Sequence, residues 1–161
     1  ICDVQLEYSL LSRGIETTVW PVARTLGIAV TAYGVLSRGL LGGGWTRDRE
    51  LPKTDFRRFL PRFAGKNLEQ NLALIDAIQA IAHDRQATVA QIATAWVLAK
   101  GADVVPLCGA RTRAQLADAL GAIDLTLSAE DVARLEAAAP ASQVAGTRYD
   151  AHQMRMLDSE R

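Results

Sequence analysis

The sequence predicts an α/β fold in which short parallel strands alternate with helices. Three segments, 2–9, 28–33 and 104–107, have the short length and the β-branched or aromatic residues that are typical of strands. Apolar residues recur at helical spacing in the segments near 16–26, 67–84, 88–99, 113–121 and 128–139. Strands that alternate with helices indicate parallel βαβ units and therefore a parallel sheet.

The first strand alternates between two kinds of side chain. Val4, Leu6 and Tyr8 fall on one side, and Gln5 and Glu7 fall on the other. One face of this strand should therefore meet a core, and the other should be polar.

A helix over 16–26 and a second strand over 28–33 follow. Pro21 is compatible with the helix if it lies in the first turn, where its missing N–H costs little, and Gly27 is a plausible stop. The strand runs into a loop over 34–44 that is dense in glycine. Residues 45–66 are polar and basic and contain Pro52, Pro61 and Gly65, so we expect a long surface loop; such loops are usually functional or mobile.

The second half of the chain begins with the long helix near 67–84 and continues with more helices and one strand. Thr88 is the expected N-cap of the helix that Gly101 ends, and Ser128 is the expected N-cap of the last helix. Residues 140–161 are polar and are predicted to form an irregular tail. Trp45, Phe56, Phe59 and Phe63 in the long loop could line a pocket, close over a ligand, or simply hold the loop down.

Charge and cysteine content argue against several classes of function. Lys+Arg and Asp+Glu are both 18, so no bulk charge favours binding to nucleic acid or to an anionic membrane. Cys2 and Cys108 form neither a disulfide framework nor a metal-ligand spacing, which favours a reducing, cytoplasmic location. No apolar run reaches the roughly 18–20 residues of a membrane helix. We therefore expect no metal site, no nucleic-acid partner and no membrane partner.

Three parallel strands leave an open edge on each side of the sheet, which an independent domain rarely tolerates. A closed (β/α)8 barrel uses eight strands and about 250 residues. The sequence therefore predicts that residues 1–161 form one incomplete domain, with self-association possible through its strand edges. The chain also opens directly in a strand, at Ile1 rather than Met, so we expect it to be a fragment.

The ends of the three strands are the candidate functional segments. They are Gln5–Tyr8, Tyr33–Gly39 and Gly109–Arg111. In a (β/α) barrel, ligands gather where the strands run out at the C-terminal face, so these segments should converge on one site.

These segments resemble motifs of the aldo-keto reductase family. Residues 4–10 are similar to the sixth-strand motif, and residues 32–41 to the seventh-strand motif and its loop. Residues 105–111 and 115–122 are similar to the eighth strand and its helix, and residues 146–149 resemble a tail of the bacterial, potassium-channel-β-like branch. The resemblance implies that the chain is a partial (β/α)8 TIM barrel. It would contain strands 6–8 with their helices and the C-terminal tail, which is about half of the barrel.

The resemblance also implies an NADP(H) site. Gln5 would hold the nicotinamide carboxamide, since an amide both donates and accepts hydrogen bonds, and Tyr33 would stack on the nicotinamide ring. Loop residues after Tyr33 would wrap the pyrophosphate with their backbone N–H groups. Those residues are Gly34, Leu36, Ser37, Arg38 and Gly39.

The adenosine end of the nucleotide would meet the start of the helix near 113–121. Gly109, Ala110 and Arg111 precede that helix, and the Arg111 guanidinium would bind the 2′-phosphate and so favour NADP(H) over NAD(H). Gln115 would contact the adenosine. Ala119 departs from the family, which often has Asn there, and cannot form a hydrogen bond with adenine.

The family's catalytic groups are a tyrosine acid, a lysine, an aspartate and a histidine, all on earlier strands. The sequence offers no replacement for them, so no catalytic residue is expected here, and this chain alone should be inactive. The resemblance implies that the complete protein reduces a small-molecule carbonyl substrate.

Two alternatives stay open at this point. The chain could be a nucleotide-sensing or partner-binding module of the channel-β type without turnover. It could also belong to another (β/α) barrel enzyme that uses its last two loops for a phosphate substrate. Selective affinity for NADP(H), lost on Arg111→Ala, would disfavour the second of these.

Overall fold

Three parallel strands form the sheet of a computed structural model that describes residues 1–157. They are β1 (Asp3–Glu7), β2 (Ala29–Tyr33) and β3 (Val104–Pro106), and they lie side by side in that order. The register runs from Asp3 opposite Ala29 to Glu7 opposite Tyr33, and from Val30 opposite Val104 to Ala32 opposite Pro106. The predicted parallel arrangement is confirmed, with each strand shorter than expected.

The helices lie close to their predicted positions. They are α1 (Val19–Thr25), α2 (Gly65–Asp84), α3 (Val89–Leu98), α4 (Arg113–Leu120), α5 (Ala129–Ala138) and α6 (Ala151–Met154). Short 3₁₀ turns lie between them, at Gly14–Thr17, Ser37–Gly42, Phe56–Phe59, Pro61–Phe63, Gly121–Asp124 and Ala141–Gln143.

The helix predicted over 16–26 is a 3₁₀ turn followed by α1. Thr18 separates the two with a φ of −120° and a ψ of −91°, which no helix accommodates. Pro21 is then the third residue of α1 and lies in its first turn, where a backbone N–H would have no intrahelical partner. Gly27 follows the helix with a φ of +64°, as expected for a stop.

Capping boxes begin three helices. Thr88 and Ser128 are N-caps as predicted, and their side chains accept hydrogen bonds from the backbone N–H groups of Gln91 and Asp131. A third capping box at Thr112 begins α4. Its Ser/Thr-x-x-Gln spacing is visible in the sequence, although it was not recognised there.

The loop and the tail contain more structure than predicted. Two 3₁₀ turns interrupt the segment 45–66, and α2 begins at Gly65. In the segment 140–161, which was predicted to be irregular, Asp150 caps α6 by accepting hydrogen bonds from two backbone N–H groups. Residues 158–161 of that prediction lie outside the described residues.

The core lies on one face of the sheet. Val30 and Ala32 are fully buried there, and Val4 and Leu6 pack against the same cluster, which contains Trp96 of α3. The alternate residues of the strands point to the opposite face, where Val105 is 57% exposed. Within the described chain, no helix combines the length and the apolar character that crossing a bilayer requires.

Candidate functional site

The three strands end at one edge of the sheet. Beyond the last pairs, the Tyr8 N–H donates to the Tyr33 carbonyl, at 3.0 Å, and the Leu107 N–H donates to the Ala32 carbonyl, at 2.8 Å. The segments that follow β1, β2 and β3 therefore emerge side by side.

A cavity of about 470 Å³ opens beyond the ends of β2 and β3. Its wall includes seven of the residues predicted to bind a nucleotide, which are Gly34, Leu36, Arg38, Gly39, Gly109, Arg111 and Gln115. Trp45, Arg49 and Arg57 of the long loop also line it, so this loop covers one side.

The remaining predicted residues lie outside that cavity. Gln5 and Tyr33 belong to neighbouring strands and point to the sheet face opposite the core, because Gln5 pairs with Thr31, two residues before Tyr33. Ser37 is buried, and its hydroxyl lies 2.9 Å from that of Ser9. Ala110 is exposed to solvent.

The loop after β2 has a left-handed backbone at several positions. Ser37 and Arg38 have φ values of 46° and 56°, although neither is glycine. Such conformations cost of order 1–3 kcal/mol each and often occur at ligand clamps. The turn is closed by hydrogen bonds from the Ser37 N–H to the Gly34 carbonyl, at 2.7 Å, and from the Gly39 N–H to the Leu36 carbonyl, at 2.8 Å.

Two arginines contact the ring of Trp45 on the cavity wall. The Arg49 and Arg57 guanidinium carbons lie 4.7 and 5.3 Å from the centroid of its ring. Arg57 Nη1 donates to the Arg38 carbonyl, at 3.1 Å, and hydrogen bonds from Arg57 lower the pKa of Asp55 to about 2. The long loop is thereby joined to the loop after β2.

The indole N–H of Trp45 is a buried donor with no acceptor among residues 1–157. It faces the glycine loop, since a Cβ atom built on Gly39 would lie 3.7 Å from Trp45 Nε1. A buried donor without an acceptor costs about 1–3 kcal/mol, so this N–H is suited to meet an acceptor on a ligand. The sequence left the role of Trp45 open, and its position directly after the glycine-dense loop was the available signal.

Gln115 has a second function at the start of α4. Its Oε1 accepts hydrogen bonds from the backbone N–H groups of Arg111, at 2.8 Å, and of Thr112, at 3.2 Å. These N–H groups therefore serve the helix cap rather than an anion. Arg111 itself is exposed, and its guanidinium forms no hydrogen bond or ion pair with any described residue.

The polar groups of the site are not arranged as a metal centre. Within residues 1–157, no group of three or more His, Cys, Asp or Glu side chains could hold a metal ion.

Comparisons with known proteins agree on one family. A family model described as "Aldo/keto reductase family" matches residues 1–140. The probable aldo-keto reductase 1 of Glycine max is 39% identical over 149 residues, which are 92% of this chain and 43% of that protein. The solved structure of a glycerol dehydrogenase from Gluconobacter oxydans is 34% identical, with a TM-score of 0.78 over 86% of this chain and 43% of its own. The chain thus spans less than half the length of either relative.

Proposed function

Because the chain belongs to the aldo-keto reductase family, we propose that it forms the NADP(H)-binding part of an enzyme that reduces aldehydes or ketones. Membership of this oxidoreductase family confirms the resemblance seen in the strand-end motifs. The similar solved structure supports a partial (β/α)8 barrel. On the motif match we assign β1, β2 and β3 to the sixth, seventh and eighth strands of that barrel.

The observation that carries the proposal is the composition of the cavity wall. Four arginines line it, namely Arg38, Arg49, Arg57 and Arg111, together with five glycines. Guanidinium groups match phosphate oxygens in charge and geometry, and glycines allow a close approach of backbone to phosphate. The buried Trp45 N–H adds a neutral donor on the same wall. Such a surface supports the binding of a pyrophosphate.

The three strand ends suggest how an extended nucleotide would lie. Gln5 and Tyr33 would take the nicotinamide, because they share the open face of the sheet and offer an amide and an aromatic ring. The loop Gly34–Gly39 would hold the pyrophosphate. Arg111, which is exposed and lines the cavity, would take the 2′-phosphate of NADP(H). The Gln115 oxygen already accepts two backbone hydrogen bonds, so only its amide NH₂ would be available to the adenosine.

We further propose that the proton donor for carbonyl reduction is not a residue of this chain. Burial, and then a hydrogen bond to Glu16, raise the pKa of Tyr8, and Tyr8 is fully buried. Burial and a hydrogen bond to Tyr149 raise the pKa of Tyr33 to about 12, whereas an acid catalyst needs a pKa nearer the working pH. Bound NADPH would supply the hydride, and this chain's residues would bind and orient it.

The relatives named above are both described as enzymes. A sensing module without turnover is therefore not the function that the comparisons favour. Membership of the family leads us to infer a carbonyl substrate. Which carbonyl compound is reduced depends on the complete protein.

Nucleotide binding to the purified chain tests the proposal. NADPH should bind with weak affinity, because an incomplete barrel is not preorganised, and it should bind more tightly than NADH. Arg111→Ala should remove this preference, with an NADPH affinity lower by roughly tenfold, about 1.4 kcal/mol, as calorimetric titration would measure. Arg134→Ala is the matched control, because Arg134 lies on α5, does not line the cavity and forms an ion pair with the exposed Asp84 of α2.

Three results would contradict the proposal, each in a different part. Binding of neither nucleotide would show that the cavity is not a nucleotide site. Equal affinity for NADPH and NADH would show that Arg111 does not select the 2′-phosphate. Steady NADPH oxidation by this chain with a simple aldehyde would show that it does contain a proton donor.

A further inference from the structure

A buried carboxylate lies at the end of β1, beneath the loop that follows β2. The Glu7 side chain is 3% exposed. Its Oε1 accepts a hydrogen bond from Ser12 Oγ, at 2.9 Å, and lies 3.9 Å from Arg62 Nη1. Its Oε2 lies 3.3 Å from Arg148 Nη1 and 3.6 Å from Arg38 Nη2. A buried carboxylate is costly unless it is paired, so these arginines account for its presence.

Glu7 contacts the loop after β2 closely. A Cβ atom built on Gly34 would lie 3.1 Å from Glu7 Cγ, so the side chain fills the space where the loop begins. The Glu7 carboxylate also forms an ion pair with Arg38, the loop residue that has a left-handed backbone. Glu7 thus contacts the loop Gly34–Gly39 both at its first residue and at Arg38.

Glu7 also contacts the C-terminal tail through Arg148, which is itself 3% exposed in its side chain. Arg148 Nη1 donates to the Tyr33 hydroxyl, at 3.5 Å. The next residue, Tyr149, presents its ring to Arg38, whose guanidinium carbon lies 4.7 Å from the centroid. The tail therefore contacts both Tyr33 and the loop, although it does not line the cavity.

The tail is anchored at its start as well. Arg62 Nε donates to the Gly146 carbonyl, at 3.3 Å, and Arg62 Nη1 donates to Ser12 Oγ, at 2.7 Å. Gly146 packs so closely on Pro61 that an added Cβ would lie 2.7 Å from the Pro61 carbonyl carbon. The backbone just before Arg148 is therefore held against Pro61 and Arg62, which places Arg148 beside Glu7.

We propose that Glu7 and Arg148 are positioning residues for the nucleotide, which hold the Tyr33 ring and the loop Gly34–Gly39 in their binding conformation. This inference rests on the proposed function and deepens it, because it makes the C-terminal tail part of the nucleotide site. The pair acts through Tyr33 and Arg38 and needs no contact with the nucleotide itself. The adenosine end of the site, at Arg111, lies outside this network.

Nucleotide affinity is the first test. Arg148→Met and Glu7→Gln should each weaken NADPH binding roughly tenfold or more, while the NADPH-to-NADH ratio stays unchanged because Arg111 is untouched. Arg148→Lys keeps the charge and should stay within about threefold of the unsubstituted chain. Arg134→Met is the control for loss of an arginine. An unchanged affinity in both Arg148→Met and Glu7→Gln would overturn the proposal.

A second test needs no nucleotide. The chain has 3 tyrosines, so labelling with 3-fluorotyrosine gives few fluorine NMR signals, and each can be assigned by a Tyr→Phe variant. Arg148→Met should shift the signals of Tyr33 and Tyr149 and leave that of buried Tyr8 in place. Hydrogen exchange should also become faster at the amides of Ser37 and Gly39, which close the loop.

The two tests separate the possible failures. If the unsubstituted chain binds no NADPH, the proposed function fails, and the fluorine signals and loop exchange still decide whether the pair holds Tyr33 and the loop. If Arg148→Met unfolds the chain, which circular dichroism would reveal, Arg148→Lys and isosteric Glu7→Gln provide the same comparison. Signals of Tyr33 and loop amides that do not respond in these variants would overturn the inference.

Discussion

The ring of Tyr8 stacks on the ring of Trp96, with centroids 5.0 Å apart and planes 28° from parallel. Both side chains are fully buried, and Trp20 meets the Tyr8 ring edge-on at 4.8 Å. These three rings join the end of β1 to α1 and to α3. Because β1 also carries Gln5 and Glu7, this packing holds the strand from which those two side chains extend.

Loss of the Trp96 ring should destabilise the chain severely. Trp96→Ala removes a fully buried side chain that stacks on Tyr8 within the core, and such changes cost about 3–5 kcal/mol. Urea denaturation should show a lower midpoint with a similar slope. Phe59→Ala, at a site that is 76% exposed, is the control and should change the midpoint little. A small effect of Trp96→Ala would mean that the rings do not pack as described.

Removal of the Tyr8 hydroxyl should be milder and should alter alkaline stability. Tyr8→Phe loses the hydrogen bond to Glu16, at about 1–2 kcal/mol near neutral pH. Burial raises the pKa of Tyr8, so the folded state keeps this phenol neutral while the unfolded chain ionises it above about pH 10. Stability should therefore fall as the pH rises above 10, and the fall should be shallower in Tyr8→Phe. Urea midpoints from pH 7 to pH 11 would measure this fall. The same pH dependence in Tyr8→Phe and in the unsubstituted chain would contradict the prediction.

Asp103 should contribute stability that acid removes. Hydrogen bonds from Arg24 and then from Trp20 lower the pKa of Asp103 from 3.8 to about 2. The contribution is therefore complete above pH 4 and is lost as the pH falls toward 2. Asp103→Asn should cost roughly 1 kcal/mol at pH 7, a modest value because solvent screens the pair, and less at pH 3.

Urea midpoints at the two pH values check the Asp103 prediction. Asp76→Asn is the matched control, because Asp76 is 62% exposed in its pair with Arg47 and should contribute little. A cost of Asp103→Asn that does not depend on pH would contradict the assigned ion pair.

Gly146 should tolerate a side chain less well than Gly27. Both have a left-handed φ, +78° and +64°, so alanine should cost about 1–2 kcal/mol at either position from backbone strain alone. A Cβ on Gly27 meets nothing within 4 Å, whereas one on Gly146 meets the Pro61 backbone at 2.7 Å. Gly146→Ala should therefore lower the free energy of unfolding more than Gly27→Ala does. Equal losses would contradict the close packing of Gly146 against Pro61.

The open face of the sheet should promote self-association. Val105 is 57% exposed there, and the two outer strands leave unpaired backbone groups. Sedimentation velocity at micromolar concentration should show oligomers, with a larger monomer fraction in Val105→Lys. Val22→Lys is the control, because Val22 is 58% exposed on α1, away from this face. A monodisperse monomer of the unsubstituted chain would contradict the prediction.

Local signals were sufficient for much of the fold. The period-2 pattern of β1, the caps at Thr88 and Ser128 and the stop at Gly27 depend on neighbours a few residues away, and the structure agrees with each. The break at Thr18 was missed because the apolar pattern continues across it. The turn at α6 was missed because its cap, Asp150, lies in a polar segment without helical periodicity.

The candidate site was only partly accessible from local patterns. The sequence named the loop after β2 and Arg111, and the structure brings both to one cavity. It could not show that Ser37 turns inward to Ser9, or that the Gln115 carbonyl caps its own helix. Whether a side chain forms a local hydrogen bond or remains free for a ligand depends on its rotamer and on the backbone dihedrals. A residue pattern specifies neither.

By itself, the sequence determined the family, the order of parallel strands and the segments that end at one rim, because these follow from motifs and from the hydrophobic period. Only the tertiary structure decided that Glu7 contacts Arg148, 141 positions further along the chain, and that Arg49 and Arg57 both contact the ring of Trp45. The physical reason is that ion pairs and buried donors depend on distances of a few ångströms between segments remote in sequence. Those distances exist only after the core has packed.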